Sequence, residues 1–109
     1  MAHYKELHGT EFLRATESDP AAAIIDVRTP GEFNSGFIPG AVNIDVIDDD
    51  VFISSIEKLD KSKSYYVYCR SGGRSALACS LMADHGFTAF NLVGGISAWT
   101  GELTRKQTA

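Results

Sequence analysis

One cysteine in this chain sits where a thiol can be made to react. Tyr65-Tyr66-Val67-Tyr68-Cys69-Arg70-Ser71-Gly72-Gly73-Arg74-Ser75 reads as a strand ending at Cys69, then a short glycine-rich loop, then the start of a helix. Glycines let the backbone curl until several amide N–H groups converge on one point, which suits an anion. The helix N-terminus adds roughly half a positive charge there. Arg70 and Arg74 bring two full positive charges. Each effect favours a thiolate over a thiol, so Cys69 is expected to have a lowered pKa and to act as a nucleophile. The plainer alternative is a small hydrophobe at a strand end, which is what most lone cysteines are. Two flanking arginines and paired glycines argue against it here.

Other residues carry weaker signals. Asp26 and Arg28 end a buried strand, where charges need partners. Glu32, four residues after Arg28, is the expected ion-pair partner, and Asp26 is a candidate to support the Cys69 loop from below. Cys79 falls with Ser75, Ala78 and Met82 on an i, i+3, i+4, i+7 stripe, so it reads as core rather than as a second reactive thiol. His85 sits in a last helical turn, where partial positive charge suits the dipole. His3 and His8 are far from it in sequence, so no metal site is expected. Gly94 and Gly95 read as a tight turn where backbone approaches backbone, with Trp99 as an apolar anchor nearby.

The elements that must position Cys69 are short and alternate in type. Ala23–Val27 and Tyr65–Tyr68 read as buried strands, rich in β-branched and aromatic residues. Weaker strand candidates are Ala41–Ile44 and Ala89–Val93, with a short fifth at Tyr4–Glu6. Thr10 is expected to cap a helix running to about Glu17, with Glu11 in its first turn. Phe52, Ile56 and Leu59 mark an amphipathic helix, and another runs from about Gly73 to His85, ended by Gly86. This alternation predicts an α/β fold in three layers: a mainly parallel five-stranded sheet with helices on both faces. Ligands in such folds collect at the carboxyl ends of the strands.

The bulk numbers bound the function. With 109 residues there is room for one domain, 1–109. A net charge of −4 argues against nucleic acid or an anionic membrane as partner. The acidic cluster of Asp45, Asp48, Asp49 and Asp50 lacks the glycine and terminal glutamate of a calcium loop and reads as a solvated face. No apolar run approaches the ~18 residues of a membrane span. Met1 to Lys5 shows no leader pattern, and two cysteines without one suggest reduced thiols in the cytoplasm. A Cys69–Cys79 disulfide would have to bridge nearly three helical turns, about 15 Å. No lysine follows the glycines and no Gly-x-Gly-x-x-Gly occurs, which excludes the common nucleotide-binding loops.

Three segments together resemble the rhodanese family. Cys69-Arg70-Ser71-Gly72-Gly73-Arg74-Ser75 looks like its active-site loop. Asp26-Val27-Arg28-Thr29-Pro30-Gly31-Glu32-Phe33 with Gly36-Phe37-Ile38-Pro39-Gly40-Ala41-Val42-Asn43 resembles its N-terminal signature. Leu92-Val93-Gly94-Gly95-Ile96-Ser97-Ala98-Trp99 resembles its C-terminal one. The resemblance spans about residues 4 to 103. It implies a cofactor-free sulfurtransferase in which Cys69 carries sulfur as a persulfide. Arg70, Ser71, Gly72, Gly73, Arg74 and Ser75 would bind the substrate and the persulfide, and Asp26, Arg28, Glu32 and Trp99 would support them. A small anionic donor such as thiosulfate, and a thiol-bearing acceptor protein, are the implied partners. Phe37 stands where the family often has histidine, a position read as structural. Two rivals stand beside this reading. One is a non-catalytic binding module on the same fold, which would be free to lose the cysteine and arginines. The other is a cysteine phosphatase, whose loop resembles cysteine, five residues, then arginine. Here Arg74 follows after four, a cradle better suited to one sulfur atom than to a tetrahedral phosphate.

Overall fold

A computed structural model describes residues 3–105. Residues 1–2 and 106–109 of the expected domain lie outside them, and so does the start of the Met1–Lys5 segment. The chain runs β1 (Lys5–Leu7), α1 (Gly9–Ser18), β2 (Ala22–Asp26), α2 (Pro30–Ser35), β3 (Val42–Asn43), α3 (Asp49–Ile56), β4 (Ser64–Tyr68), α4 (Gly73–Asp84) and β5 (Thr88–Leu92), then a 3-10 turn at Gly95–Ala98. All five strands pair in parallel in the order β1-β5-β4-β2-β3. The three-layer α/β architecture read from the sequence is the one found.

Strand β4 lies at the centre and shows why Cys69 emerges where it does. Successive side chains in a strand point to opposite faces. Tyr65, Val67 and Cys69 therefore join one core cluster, with Phe52 and Ile56 of α3 and Ala78, Cys79 and Met82 of α4. Tyr66 and Tyr68 join the other, with Phe12 of α1, Ile38 and Leu92, and with Phe33 and Trp99 packed against it. The expected stripe of α4 is buried, at Ser75, Ala78, Cys79 and Met82. Full burial of Phe12, Phe52 and Met82 contributes about 1.5–3 kcal/mol each. Polar atoms in these layers find partners: the Tyr68 hydroxyl accepts from the Ile38 amide at 3.0 Å, and the Tyr65 hydroxyl donates to the Asp60 carbonyl at 2.8 Å.

Helix ends account for the departures from expectation. Helix α1 is capped at His8 rather than Thr10, because Glu11 reaches back to the His8 amide at 3.3 Å. A matching box from Thr10 would need an acid at position 13, which is leucine. Helix α3 ends at Ile56, leaving Leu59 in the following turn, and starts at Asp48, whose carboxylate accepts from the Asp50 and Val51 amides at 2.9 and 3.2 Å. Part of the acidic cluster is thus a helix cap, and Asp49 and Asp50 lie in the first turn, where the dipole favours them. Helix α4 closes as expected: the His85 ring lies 2.9 Å from the Leu81 carbonyl, and Gly86 takes φ +86°. Helix α2 and the 3-10 turn are too short to leave a periodic signal.

Candidate active site

Three strand ends converge on Cys69. The Val27 amide donates to the Tyr68 carbonyl at 3.0 Å, carrying the β2–β4 ladder up to the residue before the cysteine. The loop then turns at Gly72, which takes φ +106° as the cap of α4. Its amide points back and donates to Cys69 Sγ at 3.0 Å, and the Ser75 hydroxyl lies 3.4 Å from the same sulfur. Cys69 is buried. Burial alone raises its pKa, but the Ser75 hydroxyl and the amides of Ser75, Gly72 and Ser71 together outweigh it, so the thiol lies below its ordinary value.

What holds the loop in this shape is the turn after β5. The Ile96 and Ser97 amides donate to the carbonyls of Cys69 and Arg70 at 2.9 and 3.0 Å. With those carbonyls turned toward residues 96 and 97, the following amides are free to face the sulfur. The approach is so close that a Cβ on Gly95 would lie 2.5 Å from the Cys69 carbonyl oxygen, and Gly95 has φ +60°. The expected close backbone approach at Gly94-Gly95 is therefore made against the cysteine loop itself.

The arginines are arranged differently from expectation. Glu32 does not pair with Arg28. It holds Arg74 through two bonds of 2.8 and 3.0 Å and lies 3.5 Å from Arg70 Nε. A spacing of four brings side chains together only within a helix, and Arg28 precedes Thr29, the cap of α2. Thr29 and Glu32 form that helix's capping box, which turns the carboxylate toward α4. Hydrogen bonds from Arg74, ahead of those from Thr29, hold the Glu32 carboxyl at about 2. One carboxylate thus offsets much of the charge of both arginines. Hydrogen bonds, rather than bare cations, lower the thiol.

Arg28 instead pairs with Asp26 at 2.6 Å and donates to the Gly36 carbonyl at 2.6 Å. Among the described residues no Asp26 hydrogen bond reaches positions 69–75. This buried pair braces the start of the segment leading to β3, with Asn43 donating to the Asp26 and Arg28 carbonyls at 3.0 and 2.9 Å. Trp99 packs edge-on to Phe12 with ring centres 5.9 Å apart, in the cluster across the sheet from α4. Phe37 stacks on Phe33 at 4.1 Å, a packing position. Cys79 is fully buried and its thiol is pushed far up by desolvation, as a core residue should be. Beside Arg74 a cavity of about 300 Å³ is lined by Thr29, Val46, Ile47, Leu77, Asp45 and Asp49.

Sequence reasoning missed Glu6 and Asn91. The Asn91 amide nitrogen lies 3.2 and 3.1 Å from the Glu6 carboxylate oxygens, and its oxygen lies 2.5 Å from the Ser75 hydroxyl. The signal was present: a polar residue amid Ala89-Phe90-Asn91-Leu92-Val93 needs a buried partner.

The chain has known relatives. The rhodanese-like domain family matches residues 9–102. The chain belongs to that family. The relatives include YtwF of Bacillus subtilis, named as a sulfurtransferase and 38% identical over 102 residues that cover 94% of this chain and 96% of that one. The thiosulfate sulfurtransferase GlpE of Shewanella oneidensis is 30% identical over 100 residues, covering 91% and 95%. Among solved structures, a rhodanese-like domain protein from Staphylococcus aureus superposes with a TM-score of 0.81 at 31% identity, covering 94% of this chain and 99% of that one. No helix among the described residues of this rhodanese-like domain is long and apolar enough to cross a membrane.

Proposed function

We propose that this domain transfers sulfane sulfur from thiosulfate, or from a persulfide donor, to cyanide or a thiol acceptor through a persulfide on Cys69, without a cofactor. The observation that carries the reading is the sulfur cradle: the Gly72 amide donates to Cys69 Sγ at 3.0 Å and the Ser75 hydroxyl lies 3.4 Å from the same atom. In the first half-reaction the thiolate attacks the outer sulfur of thiosulfate. A Cys69 S–S bond forms, the S–S bond of thiosulfate breaks, and sulfite leaves with its electron pair. The persulfide is anionic at its terminal sulfur, and preorganised loop donors stabilise that charge as an oxyanion hole does. Cyanide then attacks the terminal sulfur, thiocyanate leaves, and the Cys69 thiolate returns. The two stages predict ping-pong kinetics.

Arg70 is the exposed cation of the loop, and Arg74 is partly exposed and tied to Glu32. Arg70 is thus the better placed to attract a dianionic donor, with Arg74 adding a contact at the rim. The apolar cavity beside Arg74 suits a thiol acceptor larger than cyanide. A cytoplasmic site of action fits two free cysteines. A phosphatase would need a loop that opens around a tetrahedral group, whereas this one closes on a single sulfur. The test is an activity comparison: thiocyanate should form from thiosulfate and cyanide, no aryl phosphate should be cleaved, and Cys69→Ser should form no thiocyanate. Phosphate release in place of thiocyanate would reverse the assignment.

A further inference from the structure

Ser75 has one hydroxyl proton and faces three acceptors: Asn91 Oδ1 at 2.5 Å, the Gly72 carbonyl at 3.2 Å and Cys69 Sγ at 3.4 Å. Only one can receive the proton at a time. The Gly72 carbonyl has other donors, the Ala76 amide at 3.0 Å and the Asn91 amide at 3.4 Å. Asn91 Oδ1 has no donor besides Ser75 among the described residues, and Asn91 is only 3% exposed. The competition that matters is therefore between Asn91 and Cys69.

Glu6 decides which way the asparagine faces. Glu6 and Asn91 are register partners across β1 and β5. An ionised carboxylate can only accept, so the Asn91 nitrogen must face Glu6 and its oxygen must face Ser75. We propose that Asn91, oriented by Glu6, is a positioning residue that draws the Ser75 proton away from Cys69 while the sulfur is neutral and yields it when the sulfur becomes an anion. A charged acceptor outcompetes a neutral one because charge-assisted bonds are roughly twice as strong. Yielding the proton leaves the buried Asn91 oxygen without a donor, so the asparagine opposes the sulfur anion and Ser75 favours it. Two residues in contact thus act on the same thiol with opposite sign.

The relay rests on reading Cys69 as the reacting thiol, yet it is read by titrating that thiol, whether or not sulfur moves. The titratable groups whose charges couple to Cys69 are Arg74 and Cys79 on α4; Glu32 pairs with Arg74 and lies 3.5 Å from Arg70, and Glu6 of β1 acts on Cys79. Asn91→Leu changes none of these charges. The midpoint of Cys69 alkylation against pH is expected to fall by about half a unit in Asn91→Leu, the weight of a partial hydrogen bond. It should rise in Ser75→Ala, and Asn91→Leu should then add no shift in the Ser75→Ala background. An unchanged or raised midpoint in Asn91→Leu, or the same fall in both backgrounds, overturns the proposal. Should Asn91→Leu fail to fold, Glu6→Ala on the exposed edge strand frees the amide to turn. Its effect must be larger with Ser75 present than in Ser75→Ala, and equal effects overturn the relay as surely.

Discussion

A single methyl group at Gly95 tests whether the turn after β5 holds the reactive loop. In Gly95→Ala the new Cβ would lie 2.5 Å from the Cys69 carbonyl oxygen, on a residue at φ +60°. Both facts count. A left-handed alanine costs about 1–2 kcal/mol. Relieving the contact means lifting the 3-10 turn, which breaks the Ile96–Cys69 and Ser97–Arg70 hydrogen bonds of 2.9 and 3.0 Å, about 1 kcal/mol each. The sum is about 3–4 kcal/mol, a large share of a small domain's stability. At roughly 4 °C or more per kcal/mol the melting temperature should drop by at least about 12 °C. The freed carbonyls should also let the loop amides turn from the sulfur, raising the pH midpoint of Cys69 alkylation. Gly31→Ala is the control, since nothing lies within 4 Å of a Cβ there. A Gly95→Ala protein that melts within about 4 °C of wild type, with Cys69 titrating unchanged, would refute the bracing argument.

Glu32→Gln should lower stability at neutral pH by about 1–2 kcal/mol, allowing for its partial exposure. The Glu32 carboxyl is lowered from 4.5 to about 2, so its contribution is full above pH 4.5 and lost as pH falls through about 2. The difference between wild type and variant in denaturant titrations should narrow over that window, and a gap independent of pH would contradict the ion-pair account. Arg28→Ala should cost about 3–5 kcal/mol because it strands the fully buried Asp26; a loss under about 1 kcal/mol in the same titrations would mean the pair is not what braces the segment. Cys79→Ala should keep thiocyanate formation within a few-fold of wild type and lower stability slightly through a small cavity. Loss of activity with the fold intact would show that the second thiol takes part.

Short runs of apolar, β-branched and aromatic residues made the strands legible, a capping pattern marked α1, and apolar spacing marked α3 and α4, whose buried faces repeat. The cysteine loop was legible because strand, thiol, glycines and helix follow one another without a break, but the turn after β5 that holds it in shape was not tied to it by any local pattern. Contacts between distant segments were not legible. Glu32 lies 42 residues from Arg74 and Asn91 lies 85 from Glu6, and no spacing rule links them. Arg28 and Glu32 looked paired by their separation, but the helix begins between them. Trp99 shares a motif with Gly95 yet packs on the other face of the sheet, because the 3-10 turn redirects the chain.

Whether transferable sulfur resides on Cys69 can be read from the intact mass of the protein. Protein treated with thiosulfate and freed of excess reagent should gain the mass of one sulfur atom, and cyanide should remove it. Cys69→Ser should gain nothing, since a serine hydroxyl without an adjacent base is a poor nucleophile. No gain in the wild-type protein, or an equal gain in Cys69→Ser, would contradict the account.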